Sequence, residues 1–292
     1  MAVPLTVSDS LPDAPLRHLG TLDVDTEALG AEGLSGLHIA PDLTLTAVSD
    51  LGRWCRARLV LAPNGAPLGL ETPVSGWLRD PVGRPLPRGL LGDAESLAAL
   101  PDGGWLVGFE RHHRIWRYRR LDGPAEVMPP PPGLNEAPLN ASLEALGALA
   151  DGRWLVITEG LAPRDDPSVR IGWIGGPGRW RRLLYQPGQG YDPSDLCPLP
   201  DGGALVLERH FAFADGFSAR IVHLPGPLPA APHRLEGTEL VRLEPPLPTD
   251  NWEGISAFRH GGRMLVAVLS DDNALFLQRT LLSVFAWPEA SA

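Results

Sequence analysis

Acidic side chains recur in this sequence at equivalent places. Glu95, Glu144 and Glu253 each open a strand-like run, with Ser35 and Ser194 at the matching positions and Asp195 one residue further on. Asp50, Glu110, Glu159, Glu208 and Asp271 each close the apolar run that follows. If both sets reach one opening, at least eight carboxylates crowd together there. Like charges at such spacing repel by kilocalories unless a cation or an arginine offsets them. Oxygen donors without a nearby cysteine or a paired-histidine motif suit calcium, or magnesium, better than zinc. The expected metal ligands are Asp50, Glu110, Glu159, Glu208, Asp271 and Asn273, with Asn140, Asn251 and Asp272 as further oxygens beside them. Glu95, Glu144 and Glu253 are candidates for ligand or general base. Arginines follow the acids at Arg53, Arg111 and Arg209 and offer forked donors for carboxylate or phosphate, with Arg53 the candidate phosphate clamp. The plainer reading is that each arginine neutralises a neighbouring acid.

Other chemistry has less support. His112, His113 and His210 lie just past the same runs, where histidines are commonly solvated. The nine tryptophans read as packing, with Trp54 and Trp252 as the exceptions worth testing. No Gly-x-Ser-x-Gly elbow is present, and Gly33-Leu34-Ser35-Gly36 lacks its spacing.

The elements that must position these acids form a repeat. Ser35–Asp50, Glu95–Glu110, Glu144–Glu159, Ser194–Glu208 and Glu253–Asp271 each read as an alternating strand, a tight turn, and a second apolar strand ending in a carboxylate. The turn positions are Asp42, Asp102, Asp151, Asp201 and His260, at intervals of 60, 49, 50 and 59 residues. Such periods suit β-propeller blades. Between hairpins lie further strand-like runs, such as Arg56–Ala62 and Pro67–Val74, so each unit supplies about four strands. The fifth unit runs short, ending with Thr280–Trp287, while Leu16–Asp25 stands unassigned before the first. The expected fold is therefore an all-β propeller of five four-stranded blades in one domain, residues 1–292, with the N-terminal strand closing the last blade; six blades is the alternative. In that architecture the start of strand one and the end of strand two lie at the same channel mouth, opposite the turn.

Composition narrows the partners. The formal net charge of −10 opposes a phosphate-backbone partner, so nucleic acid is not expected. All 25 basic residues are arginines, and the lack of lysine removes Schiff-base chemistry and a Walker-type loop. Cys55 and Cys197 belong to no paired-ligand spacing and read as buried thiols, with one disulfide as the other option. The first twenty residues lack a basic segment followed by an apolar one, and no run approaches the roughly 18 apolar residues of a membrane span. A soluble monomer is expected.

The segments GLSGL with VSDLGRW, DAESLAALPDGG with GFERHHRIWRY, NASLEALGALADG with TEG, YDPSDLCPLPDGG with LERHF, and NWEGISAF with SDDN and QRTLLSVF resemble the phytase-like family, esterase-like activity of phytase. The likeness runs in order along nearly the whole chain. It implies a phosphoester hydrolase with a small phosphate-ester substrate, calcium bridging acids and substrate phosphate, and export to the periplasm or medium. The matching positions are Asp50, Arg53, Glu95, Glu110, Glu144, Glu159, Glu208, Glu253, Asp271 and Asn273. The resemblance fixes no catalytic role among them. Glycoside hydrolysis between two such acids, or a non-catalytic ligand-binding scaffold, are the alternatives.

Overall fold

Each repeat folds as a hairpin because its turn supplies the backbone that a tight reversal needs. Gly103, Gly152 and Gly202 all sit at φ +83°, a left-handed conformation that costs glycine little. The preceding aspartates clamp these turns: Asp102, Asp151 and Asp201 accept the amides of Gly104, Arg153 and Gly203 at 3.0, 3.0 and 2.9 Å. In the first hairpin Leu43 takes the glycine's place at φ 67°.

A computed structural model describes residues 2–5, 14–212, 216–272 and 278–288. In chain order its strands are β1 (Ala2–Leu5), β2 (Arg17–Val24), β3 (Leu34–Ile39), β4 (Thr44–Ser49), β5 (Arg53–Leu61), β6 (Pro67–Trp77), β7 (Ala94–Ala99), β8 (Trp105–Phe109), β9 (Arg114–Tyr118), β10 (Glu126–Met128) and β11 (Ala145–Ala148). They continue as β12 (Trp154–Ile157), β13 (Arg170–Gly175), β14 (Arg181–Gln186), β15 (Asp192–Pro198), β16 (Ala204–Ala212), β17 (Gly216–Leu224), β18 (Arg234–Glu236), β19 (Thr238–Leu243), β20 (Asn251–His260), β21 (Arg263–Asp271) and β22 (Leu281–Ala286). One short helix, α1 (Thr26–Leu29), is capped by Asp25, and no helix among the described residues is long and apolar enough to cross a membrane.

Five sheets form the ring of a five-bladed β-propeller. Blade 1 is β3-β4-β5-β6, blade 2 β7-β8-β9-β10, blade 3 β11-β12-β13-β14 and blade 4 β15-β16-β17-β19. Blade 5 is β20-β21-β22-β2, so the N-terminal strand closes it as the repeat pattern requires, with Leu22 opposite Leu282. Two strands have no counterpart in the repeat. β1 adds a fifth strand outside β2, and β18 leaves the fourth unit to pair in parallel with β14 of blade 3. Both are only three or four residues long, too short for alternation to reveal them.

The core lies between blades rather than within them. A cluster containing Leu22, Leu34 and Leu265 joins blades 5 and 1, Trp54 and Phe109 lie between blades 1 and 2, and Leu106 and Trp173 between blades 2 and 3. Tyr185 and Val206 join blades 3 and 4, and Leu205, Trp252 and Phe285 join blades 4 and 5. Cys55 and Cys197 are free, buried thiols in this packing. Inner strands are also stitched by polar contacts: Ser96 Oγ donates to Leu143 O at 2.6 Å, Ser194 Oγ to Trp252 O at 2.9 Å, and Ile39 N to Ser256 Oγ at 2.9 Å.

Closure by the N-terminal strand makes Leu22, which is fully buried, a test of ring integrity. Leu22→Ala is expected to lower the unfolding free energy by about 2–5 kcal/mol. Denaturant unfolding checks this, and a loss below about 0.5 kcal/mol, the scale of a surface substitution, would show that β2 does not close the ring.

Candidate functional site: an acidic mouth

The inner strands carry a recurring irregularity that aims the acids. In blade 2, Ala94 pairs with Phe109 and Ser96 with Gly108, leaving Glu95 as an unpaired bulge residue. In blade 5, Trp252 pairs with Ser270 and Gly254 with Leu269, leaving Glu253 in the same position. Blade 4 bulges at the equivalent step, at Ser194, blade 1 bulges one residue later, at Gly36, and in blade 3 Glu144 immediately precedes β11. A bulge turns a side chain off the regular alternation, and here it presents the glutamates at the mouth.

The acids then meet. Ligand atoms of Asp93, Glu95 and Glu110 lie within 4.8 Å of one another, as do those of Glu110, Glu144 and Glu159, so Glu110 belongs to both clusters. Glu110, Glu144 and Glu253 are buried, whereas Glu95 and Glu159 keep some exposure. Ser142 N donates to Glu110 Oε1 at 2.8 Å. Arg209 is the cation at the centre. Its Nη2 lies 2.7 Å from Glu159 Oε1, its Nη1 2.8 Å from Asn251 Oδ1, and Nη1 also donates to Glu253 Oε1. Asn251 Nδ2 donates to the same Glu253 oxygen at 2.6 Å. Arg111 Nε pairs with Asp93 at 2.5 Å. Below the mouth, Asp195 is fully buried and accepts the amides of Leu196 and Ile255 at 2.8 and 2.7 Å, tying blade 4 to blade 5.

Two arginines, Arg209 and Arg111, do not offset this density of charge, and proton affinity rises accordingly. Burial, then Asp93 and Glu253, push Asp50 up to about 7. Burial, partly opposed by Arg209, pushes Glu253 up to about 7 as well. Glu95 and Glu144 are raised well above the ordinary carboxylate range, first by burial and then by neighbouring acids. Glu110 is raised less because it accepts a hydrogen bond from Glu144 and the Ser142 amide. Two buried oxygens, Glu144 Oε2 and Glu253 Oε2, meet no hydrogen-bond donor. Beside the ring, Glu159, Arg209, His210, Phe217 and Asn251 line a cavity of about 470 Å³.

The structure brings Glu95, Glu110, Glu144, Glu159 and Glu253 to one mouth, with Asp50 and Asp271 in its electrostatic field. It does not bring Glu208 or Arg53 there. Asp50, Glu110 and Glu159 stand eight residues after their turn residues, but Glu208 stands seven after Asp201, so Glu208 is held within β16 opposite Pro193 and Arg209 takes the equivalent place. Its carboxylate is enclosed by Tyr185 Oη at 2.5 Å, Arg220 Nε at 2.5 Å and Gly188 N at 3.0 Å. Arg53 turns to Gly30 O and Ser75 Oγ at 3.0 and 3.2 Å and lies over Trp77. Asn273 lies outside the described residues, and Asn140 is exposed. Trp54 and Trp252 are buried and offer no open platform. Asp93 and Ser142 are the contributors that the repeat did not single out; each stands two residues before a mouth glutamate, as Asn251 does before Glu253.

A family model for phytase-like proteins, esterase-like activity of phytase, matches residues 30–274. The chain belongs to the phytase-like family. No curated protein sequence matches this phytase-like chain. Among solved structures it is similar to the β-xylosidase RS223, with 13% identity, TM-score 0.53, and 93% of this chain and 94% of the other covered. It is also similar to the α-L-arabinofuranosidase PaAbf62A from Podospora anserina in complex with cellotriose, with 12% identity, TM-score 0.50, and 90% and 93% covered. At such identity the likeness is one of fold. All the acids of the phytase-like mouth fall inside the matched segment.

The raised acids give the metal-free protein a defined pH dependence. A carboxylate with a raised folded pKa binds protons more tightly when folded, so its contribution is present at low pH and lost as pH rises from about 4 through about 7. In chelator, the melting temperature is expected to fall between pH 5 and 8, and Glu253→Gln is expected to flatten part of that slope. A melting temperature that rises with pH over this range would contradict the assignment.

Proposed function

We propose that this chain hydrolyses phosphate esters at the acidic mouth with a divalent cation, calcium first and magnesium second, held by Asp93, Glu95, Glu110, Glu144 and Glu159. The observation that carries this reading is the pair of overlapping three-carboxylate clusters sharing Glu110. The donor set fits a hard cation: every ligand is a carboxylate oxygen, and Glu144 Oε2 is buried without a partner. When bound, such an ion would offset the phosphate's charge and lower the pKa of water.

The chain's own residues divide the remaining work. Glu253 Oε1 is held by Asn251 and Arg209, which leaves Oε2 as the oxygen able to take a proton from the attacking water. The proton that Glu253 Oε2 takes from water is then available to the alkoxide released when the ester oxygen–phosphorus bond breaks. Arg209 takes the phosphate-positioning part that the sequence suggested for Arg53, because it lines the mouth cavity and is locked from three sides. The glycosidase alternative needs two carboxyl groups at least about 5 Å apart across a sugar. The closer spacing within both clusters favours a shared cation instead.

Release of inorganic phosphate from phytate and from p-nitrophenyl phosphate tests the reading. Turnover is expected with calcium or magnesium, lost in chelator, and at least about 100-fold slower in Glu253→Gln. No release with any divalent ion would leave a binding scaffold as the better account.

A further inference from the structure

The other end of the channel, where the hairpins turn, holds a cup of about 390 Å³. Its space comes from small residues at one repeated position, three before the turn residue: Ala148, Pro198 and Ala257 from blades 3, 4 and 5. Phe258 supplies an apolar wall and His38 a polar one. The His38 ring packs edge-on against Trp105 at 5.4 Å, and burial lowers its pKa to about 4, so it stays neutral at ordinary pH. A neutral imidazole offers one hydrogen-bond donor and one acceptor.

The repeat breaks at this cup in a way that packing does not require. Four hairpins carry proline or alanine followed by aspartate, whereas blade 5 carries Arg259-His260. The three aspartates adjoining the cup are each turned onto their own hairpin. Asp42 accepts Thr44 N at 2.9 Å, Asp151 accepts Arg153 N at 3.0 Å, and Asp201 accepts Gly203 N at 2.9 Å. Arg259 is exposed and makes no ion pair among the described residues. The lining therefore contains one permanent charge, a positive one, on a chain of net charge −10. An apolar concavity with a few convergent polar groups is the general form of a small-molecule site.

We propose that this cup is a second binding site, for a small organic acid with an apolar body. The acid group pairs with the Arg259 guanidinium, the hydrocarbon lies against Phe258 and the small-residue wall, and His38 supplies a hydrogen bond. The site is at the opposite mouth from the acids and does not depend on the hydrolase reading.

Titration with 8-anilinonaphthalene-1-sulfonate, an apolar anion whose fluorescence reports burial, tests the proposal. The expected result is saturable binding of one molecule per chain, displaced by octanoate. Arg259→Ala is expected to weaken binding about tenfold, equivalent to about 1.4 kcal/mol. Ala257→Phe, which fills the cup, is expected to abolish binding, and Arg259→Ala, at an exposed position, should keep the wild-type melting temperature. Absence of a saturable signal, or a signal that both variants retain, would overturn the site. Binding lost in Ala257→Phe but unchanged in Arg259→Ala would overturn the assignment of an acid.

Discussion

The mouth of this propeller is governed by repulsion among carboxylates that the fold does not allow to separate. Asp93, Glu95, Glu110, Glu144 and Glu159 occupy two overlapping clusters, and Asp50, Glu253 and Asp271 add to the same field. Charges removed from water need compensation close at hand. Two kinds hold the ring together: the guanidinium groups of Arg209, between Glu159 and Glu253, and of Arg111, on Asp93, and protons retained on the most buried acids. The cation proposed for the clusters would be a third, turning that repulsion into affinity for a divalent ion.

The rest of the structure can be understood as what keeps those acids in place. Ring closure by β2 fixes the angular position of each blade, and five apolar clusters between blades resist their sliding. Bulges at Glu95 and Glu253 turn the glutamates off the strand alternation. Asp195, bonded to two backbone amides beneath the mouth, ties neighbouring inner strands just where repulsion would spread them. The fold thus spends packing energy to hold a polar arrangement that is unfavourable alone, a common feature of functional sites.

Much of this was legible in the sequence because it is periodic. Hairpins with aspartate-glycine turns announce the blades, and the strand runs Thr280–Trp287 and Leu16–Asp25 appear as β22 and β2 paired in blade 5. Convergence of the strand-one glutamates followed from hairpin geometry alone. What was not legible depends on local breaks in period. Glu110 and Glu159 stand eight residues after their turn residues Asp102 and Asp151, but Glu208 stands seven after Asp201, so it pairs opposite Pro193 within β16 and meets Tyr185 and Arg220. The same one-residue offset puts Arg209 at the place that Glu110 and Glu159 hold in their blades. Arg53 begins β5 and is drawn to Gly30, Ser75 and Trp77 by contacts that no spacing reveals. Asp93 escaped notice because its equivalents are Gly33, Ser142, Asp192 and Asn251, a position conserved in place but not in chemistry among the blades.

Protons displaced by a cation provide the most direct test of stored repulsion. Calorimetric titration of the chelator-treated protein with calcium near pH 6, repeated in buffers of different ionisation heat, counts the protons released for each ion bound. Because Glu95, Glu144 and Glu253 are held toward their protonated forms, binding is expected to release about one proton or more per calcium ion and to tighten as pH rises. Calcium binding without proton release, or no binding at all, would contradict the claim that crowded, buried acids define this mouth.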